Sequence, residues 1–281
     1  MRKEKIIPNM IYGTAWKKEK TNTLVKEAIT CGFRAIDTAC QPKHYSEELV
    51  GLGLQEALSE LNLSRNDIFL QTKFTPINGQ DLNNMPYNQN DDVVVALEKS
   101  FETSLKNLRT DYIDSYLIHS PFGPAEDFVR VYQKMEEYVN KGLIGQIGIS
   151  NCYEMPLLEF IYDNAKIKPK VVQNRFYKDS SYDQEIRNYC NSKEITYQSF
   201  WSLTANPHLL SSMHIIAMAN KYEKTIPQVF YRFLNQINIT PLNGTTKKEH
   251  MLEDLDFLSF KLTDEEIQTI NNLLTSKTKT T

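Results

Sequence analysis

Asp37, Tyr45, Lys73 and His119 are side chains whose types and spacing could share one reaction. Asp37 closes the apolar run Phe33 to Ile36, Lys73 closes the run from Asp67, and His119 closes Tyr112 to Ile118. Short β-branched and aromatic runs of this kind read as strands. Tyr45 follows Asp37 across a polar loop, just ahead of the helical rhythm Leu49, Val50, Leu54 and Leu58. Taken singly each has a plain explanation: a turn cap, a solvated rim charge, a satisfied imidazole. Together they make an acid–base device. A desolvated Lys73 needs a counter-ion, and Asp37 would supply it. The retained positive charge would then favour the phenolate of Tyr45, lower its pKa and make the hydroxyl a usable proton donor and acceptor.

Such a device needs elements that bring strand ends to one face. Strand and helix alternate along the whole chain. Strands are expected at Ile11–Thr14, Phe33–Ile36, Asp67–Lys73, Tyr112–His119, Leu143–Ile149, Val171–Val172, Ile195–Phe200 and Ile237–Leu242. Helical patterns fill most of the intervals, among them Thr23–Thr30, Leu49–Leu61, Val94–Leu108, Glu126–Asn140, Pro156–Tyr162, Gln184–Cys190, His214–Tyr222 and Gln228–Asn235. Thr246-Lys247-Lys248-Glu249 has the spacing of a capping box opening a helix to Leu258, and a last helix runs from Thr263 to about Leu274. A chain of 281 residues with this alternation fits a single (β/α)8 barrel of roughly 250 residues, with a doubly wound sheet as the alternative. Barrel strands present their carboxyl ends to the active site, which would gather all four residues. The polar stretch 75–92 is expected to be a lid or an insertion, and 275–281 a polar tail. Gly51-Leu52-Gly53 imitates a dinucleotide fingerprint but lies inside a helical pattern, so it is set aside.

Composition excludes several classes. The net charge of -3 comes from 32 basic and 35 acidic residues mixed along the chain, which gives no footprint for nucleic acid or an anionic membrane. No apolar run approaches membrane-spanning length, and Met1 to Lys5 leads into no signal-peptide core, so a cytoplasmic protein is expected. Cys31, Cys40, Cys152 and Cys190 form no C-x-x-C pair and the His residues show no ligand spacing, so neither disulfide nor metal is expected. Cys40, near the four residues in sequence, reads as a small buried residue and not a redox switch.

Gly32-Phe33-Arg34-Ala35-Ile36-Asp37-Thr38-Ala39, Thr72-Lys73, Leu117-Ile118-His119-Ser120-Pro121 and Gly145 through Ser150-Asn151 resemble, in order, signature segments of the aldo-keto reductases. The resemblance runs from Gly13-Thr14 to Phe260-Lys261-Leu262-Thr263. It implies an NAD(P)H-dependent carbonyl reductase on a barrel, with catalytic Asp37, Tyr45, Lys73 and His119. Hydride would pass to the carbonyl carbon, Tyr45 would protonate the alkoxide, Lys73 and Asp37 would tune Tyr45, and His119 would orient the carbonyl. It further implies that Ser150, Asn151 and Gln173 hold the nicotinamide carboxamide, that Phe200 stacks on the nicotinamide where relatives have Tyr, and that Gly13, Thr14, Asp37, Trp201 and Leu203 belong to the cofactor site. Trp16, which follows Gly13-Thr14 as a pocket Trp does in the family, would line the substrate pocket with His119. Tyr12, Phe122, Trp201 and Tyr87 are weaker candidates for that pocket because most rings in the chain serve packing.

The sequence departs from the family in places. The interval from Asp37 to Tyr45 is longer than usual, and His44 is the rival to Tyr45 unless it points to solvent. The chain ends soon after its last helix, which implies an open pocket. Where relatives carry Lys and Arg after the last strand, this chain has Leu242-Asn243-Gly244-Thr245-Thr246 and then His250. Lys247 and Lys248 stand in the first turn of the next helix, where a cation opposes the helix dipole, a placement that makes sense against a bound phosphate. NADPH is therefore expected, with NADH possible, Thr245, Thr246 and His250 around the 2′-phosphate, and Glu253 and Asp254 near the adenine. The partner is a small carbonyl compound, acted on by a monomer or weak oligomer. A cofactor-binding regulatory subunit and a barrel lyase using Lys73 as a Schiff base remain as alternatives; an ionised Asp37 beside Lys73 argues against the lyase.

Overall fold

The computed structural model describes residues 5–275. Its eight strands are β1 Ile11–Gly13, β2 Ala35–Asp37, β3 Phe69–Phe74, β4 Ile113–Ile118, β5 Ile144–Ser150, β6 Val171–Arg175, β7 Thr196–Phe200 and β8 Ile239–Asn243. They close a parallel barrel in sequence order, with β1 pairing β8. The helices are α1 Thr21–Cys31, α2 Glu47–Glu60, α3 Val93–Leu108, α4 Ala125–Asn140, α5 Met155–Asn164, α6 Gln184–Ser192, α7 Pro207–Leu210, α8 Met213–Tyr222, α9 Ile226–Gln236, α10 Lys248–Leu255 and α11 Asp264–Thr275. This is the (β/α)8 architecture that the alternation predicts. No helix among the described residues is long and apolar enough to cross a membrane. Of the expected polar tail only Thr275, the end of α11, lies within the described residues.

The boundaries differ for local reasons. Gly32 ends α1 in the left-handed region at φ 119, and the Phe33 N–H turns back to the Ala28 carbonyl at 3.0 Å. Phe33 is thereby spent on closing the helix, and β2 begins at Ala35 and includes Asp37, paired with Gly13 and Gln71. Ile237 likewise closes α9, so β8 starts two residues later than expected. β6 extends to Arg175, which pairs with Phe200 of β7. Periodicity gave no warning of α7 or of the 3-10 turn Lys178–Asp183. Gly51 and Gly53 lie inside α2: a Cβ on Gly51 would sit 2.1 Å from the Asn107 carbonyl oxygen, and one on Gly53 2.3 Å from that of Asn22. They let α3 and α1 press against α2, a packing role with no nucleotide in it.

Candidate active site

A layer of polar side chains fills the barrel just below its carboxyl-end mouth. Asp37 and Lys73 are 2% and 1% exposed, and Lys73 Nζ donates to Asp37 Oδ1 at 2.8 Å, to Oδ2 at 2.7 Å and to the Thr38 carbonyl at 2.9 Å. An ammonium has three protons, so all are used. Asp37 Oδ1 also accepts from Gln71 Nε2 at 2.7 Å and from Gln173 Nε2 at 3.1 Å, and both amides donate to Gln198 Oε1 at 2.7 and 2.9 Å. Gln71 precedes Lys73 by two residues on β3 and therefore shares its inward face. Gln71 and Gln198 were not singled out from sequence, since an uncharged amide within a strand carries no signal until its facing is known.

Tyr45 and His119 stand above this layer. The Tyr45 ring centroid is 5.5 Å from Lys73 Nζ and 5.8 Å from the His119 ring, edge-on. Burial, seconded by Asp37, pushes the Tyr45 phenol well above its ordinary pKa, opposite to the lowering expected from Lys73. Asp37 at contact distance offsets much of the Lys73 charge, so desolvation outweighs it. Burial likewise draws the Lys73 ammonium below the usual lysine range while the Asp37 carboxylate opposes it. Burial, with Lys73 and His44 adding like charge, holds His119 far below the usual histidine range, so the imidazole is neutral. The site thus presents a protonated phenol and a neutral imidazole side by side.

These groups open into a cavity of about 820 Å³, within the range of ligand pockets. Gly13, Trp16, Asp37, Tyr45, His119, Ser150, Asn151, Gln173, Phe200, Trp201, Leu203, Thr245, His250, Glu253 and Asp254 line it, which gathers most of the expected residues. Two do not line it. Thr14 is fully buried, with both its N–H and its hydroxyl on the Asp37 carbonyl, and Thr246 is exposed outside the cavity. The capping box is absent: α10 begins at Lys248 with Lys247 as an N-cap that makes no side-chain cap, and a 3-10 turn follows from Asp256 to Leu258. The Lys247 N–H instead meets Thr245 Oγ1 at 3.3 Å, and the Thr245 N–H meets Asn243 Oδ1 at 2.8 Å. A turn closed by Asn243 and Thr245 displaces Thr246 from the cap. Lys247 and Lys248 are exposed.

Of the aromatic candidates, Trp16 and Trp201 line the cavity, at 59% and 51% exposure, whereas Tyr12, Tyr87 and Phe122 pack elsewhere. His44 faces the cavity and lies against Trp16 at 3.8 Å between centroids, so it does not point simply to solvent. None of residues 75–92 lines the cavity. Cys40 is buried and its thiol is raised well above its ordinary pKa by burial and Glu47, an inert setting. Two cavity cations went unnoticed in sequence. Lys17 reaches across to the Gly244 carbonyl, and the Arg175 guanidinium lies 4.2 Å from the Trp201 ring centroid, its buried Nε without a hydrogen-bond partner among the described residues. Both need the closed barrel to be seen, because the loop after β1 and the end of β6 meet the mouth only there.

The Aldo/keto reductase family model matches residues 9–275. An uncharacterized oxidoreductase of Schizosaccharomyces pombe is 30% identical over 95% of this chain and 88% of its own length. Glyoxal reductase of Bacillus subtilis is 30% identical over 89% of this chain and 82% of its own. Among solved structures, an aldo-keto reductase from a Medee basin deep-sea metagenome library superposes with a TM-score of 0.82 at 29% identity, covering 99% of this chain and 95% of that one. An aldo-keto reductase of Bombyx mori in complex with NADP superposes at 0.79 with 25% identity, covering 95% and 89%.

Proposed function

Because the chain belongs to the aldo/keto reductase family, we propose that it is an oxidoreductase that reduces aldehyde or ketone carbonyls to alcohols, with NADPH as its cofactor and the whole chain as one barrel domain. The observation that carries this reading is the protonated Tyr45 phenol set against Lys73 and the neutral His119 at the mouth. The proposal includes a cytoplasmic location and a monomer or weak oligomer.

The cavity's donors and acceptors suit a nicotinamide dinucleotide. Asn151 Nδ2 donates to the His119 carbonyl at 2.8 Å and to Ser150 Oγ at 3.4 Å, and Gln173 Nε2 donates to Asp37 and Gln198. Amide oxygens are therefore what Asn151 and Gln173 can offer a carboxamide NH₂, beside Ser150. Phe200 gives a ring face for stacking. Lys17 and Arg175, the cationic side chains that line the cavity, suit the diphosphate. Thr245, Thr246, His250 and the nearby Lys247 and Lys248 would meet the 2′-phosphate, and Glu253 and Asp254 the adenine. When bound, the reduced cofactor supplies a hydride to the carbonyl carbon.

The chain's own residues do the rest. Tyr45 donates its proton to the developing alkoxide, a strong base for which a high-pKa phenol is an adequate acid. Lys73, fixed on Asp37, places positive charge beside the phenolate as it forms. His119 hydrogen-bonds the carbonyl oxygen, and Trp16 shapes the substrate side. With all three Lys73 protons committed, no free amine is offered for a Schiff base.

The relative named glyoxal reductase directs the first trials to reactive dicarbonyls. Purified protein with NADPH and a panel of glyoxal, methylglyoxal and simple aldehydes should consume nicotinamide absorbance, with a lower KM for NADPH than for NADH. Cofactor binding without consumption across the panel would favour a regulatory subunit, and borohydride trapping on Lys73 would favour the lyase. Equal KM values would remove the NADPH assignment.

A further inference from the structure

Thr75, the residue after β3, is 1% exposed, and its hydroxyl lies 2.6 Å from His119 Nδ1. The stretch 75–92 clamps it from behind. The Tyr87 hydroxyl donates to the Thr75 carbonyl at 2.8 Å, and Gln80 Nε2 donates to it at 3.3 Å and to the Cys40 carbonyl at 2.9 Å. His119 is tied independently: its N–H donates to the Phe74 carbonyl at 2.8 Å and its carbonyl accepts from Asn151 Nδ2. Threonine and imidazole are thus held at fixed separation from both sides.

The contact has two possible polarities. With the ring proton on Nδ1, that N–H would donate to Thr75 Oγ1, and the threonine's own proton would be buried with no other acceptor among the described residues. An unmade buried donor of this kind is worth about one to two orders of magnitude in population. With threonine donating to Nδ1, every proton is used and the ring proton resides on Nε2. Nδ1 faces the buried threonine, which leaves Nε2 as the nitrogen toward the cavity that His119 lines.

We infer that Thr75 is a positioning residue that fixes His119 as the Nε2–H tautomer, so that an N–H and not a lone pair faces the mouth beside Tyr45. The stretch 75–92, which lines no part of the cavity, then acts on the site by holding this threonine. The inference deepens the proposed reduction and rests on it for its catalytic consequence: a carbonyl oxygen would meet two donors, Tyr45 Oη–H and His119 Nε2–H. A lone pair in place of the second would repel it.

Nitrogen-15 NMR of histidine-labelled protein reads the tautomer without substrate or cofactor, and His119→Asn assigns the signal among the five histidines. Wild type should show a protonated Nε2 and a bare, hydrogen-bond-accepting Nδ1. Thr75→Val, which keeps the shape and removes the hydroxyl, should give a tautomer mixture and a kcat/KM lowered about tenfold, and Thr75→Ser should restore both. A protonated Nδ1 in wild type overturns the inference even if no variant folds, and so does a Thr75→Val protein with an unchanged tautomer. Absence of turnover in wild type would defeat the proposed reduction while leaving the NMR result to decide the tautomer.

Discussion

Replacing Lys73 with Met removes one partner of a fully buried ion pair and leaves most of the side-chain volume in place. The pair is too deep for surface screening to matter, and breaking such a pair costs about 3–5 kcal/mol, chiefly because the remaining charge is stranded. Asp37 keeps two amide donors, Gln71 Nε2 at 2.7 Å and Gln173 Nε2 at 3.1 Å, which places the loss at the low end, about 3 kcal/mol. For a chain of this size that is a fall in Tm of about 6–12 °C, within the roughly 5–15 kcal/mol of a stable domain, so the variant should fold. Adding Asp37→Asn removes the stranded charge, and the double variant should recover at least about half of the loss. Carbonyl reduction should be abolished in both. Urea and thermal unfolding of the three proteins give the comparison directly. A single variant less than about 1 kcal/mol below wild type, or a double variant no more stable than the single, would refute the stranded-charge reasoning. Wild-type turnover in Lys73→Met would make Lys73 a purely structural cation.

Tyr45→Phe should lower turnover by at least about two orders of magnitude, the scale of a lost general acid, with NADPH affinity by fluorescence titration nearly unchanged; near-normal turnover would transfer the acid role, with His44 the first suspect. The double change Lys247→Ala, Lys248→Ala should raise the KM for NADPH and leave that for NADH alone, and an unaltered NADPH KM would show both lysines to be merely solvated. Asp254 is pushed up to about 6 by burial, against 3.8 for the free side chain. Its folded pKa therefore lies above its unfolded one, the native state binds more protons between those values, and stability falls as pH rises through that window. Asp254→Asn should then be more stable than wild type by about 1–3 kcal/mol at pH 7–8, with the gain shrinking toward pH 4, and a pH-independent difference would show that desolvation of this carboxylate is not the cause.

Asp37, Lys73 and His119 could be read from sequence because each is a polar residue ending an apolar run, and a barrel converts strand ends into neighbours. Tyr45 followed from its place in the loop after Asp37 and from the family resemblance, despite the longer interval and the rival His44. The hydrogen bonds that these residues make could not be read in the same way, and there the expectations failed. The Tyr45 shift was expected downward because Lys73 was credited with a free charge, whereas in the barrel its protons are divided between Asp37 and the Thr38 carbonyl. Thr246 matched a capping pattern, yet the chain leaves β8 through a turn that Asn243 and Thr245 close first, which moves the helix start to Lys248. Gln71, Gln198 and Thr75 escaped notice for one shared reason: a neutral polar side chain acts through its few directed bonds, and their partners come from strands far away in the chain. A charged residue reveals its need for company wherever it is placed, because desolvation penalises it in any interior. A neutral amide or hydroxyl becomes informative only when the geometry leaves it one partner, as Thr75 has in His119. That is why Asp37, Lys73 and His119 could be placed together at the barrel mouth from the sequence, while the directed hydrogen bonds around them had to wait for the closed barrel.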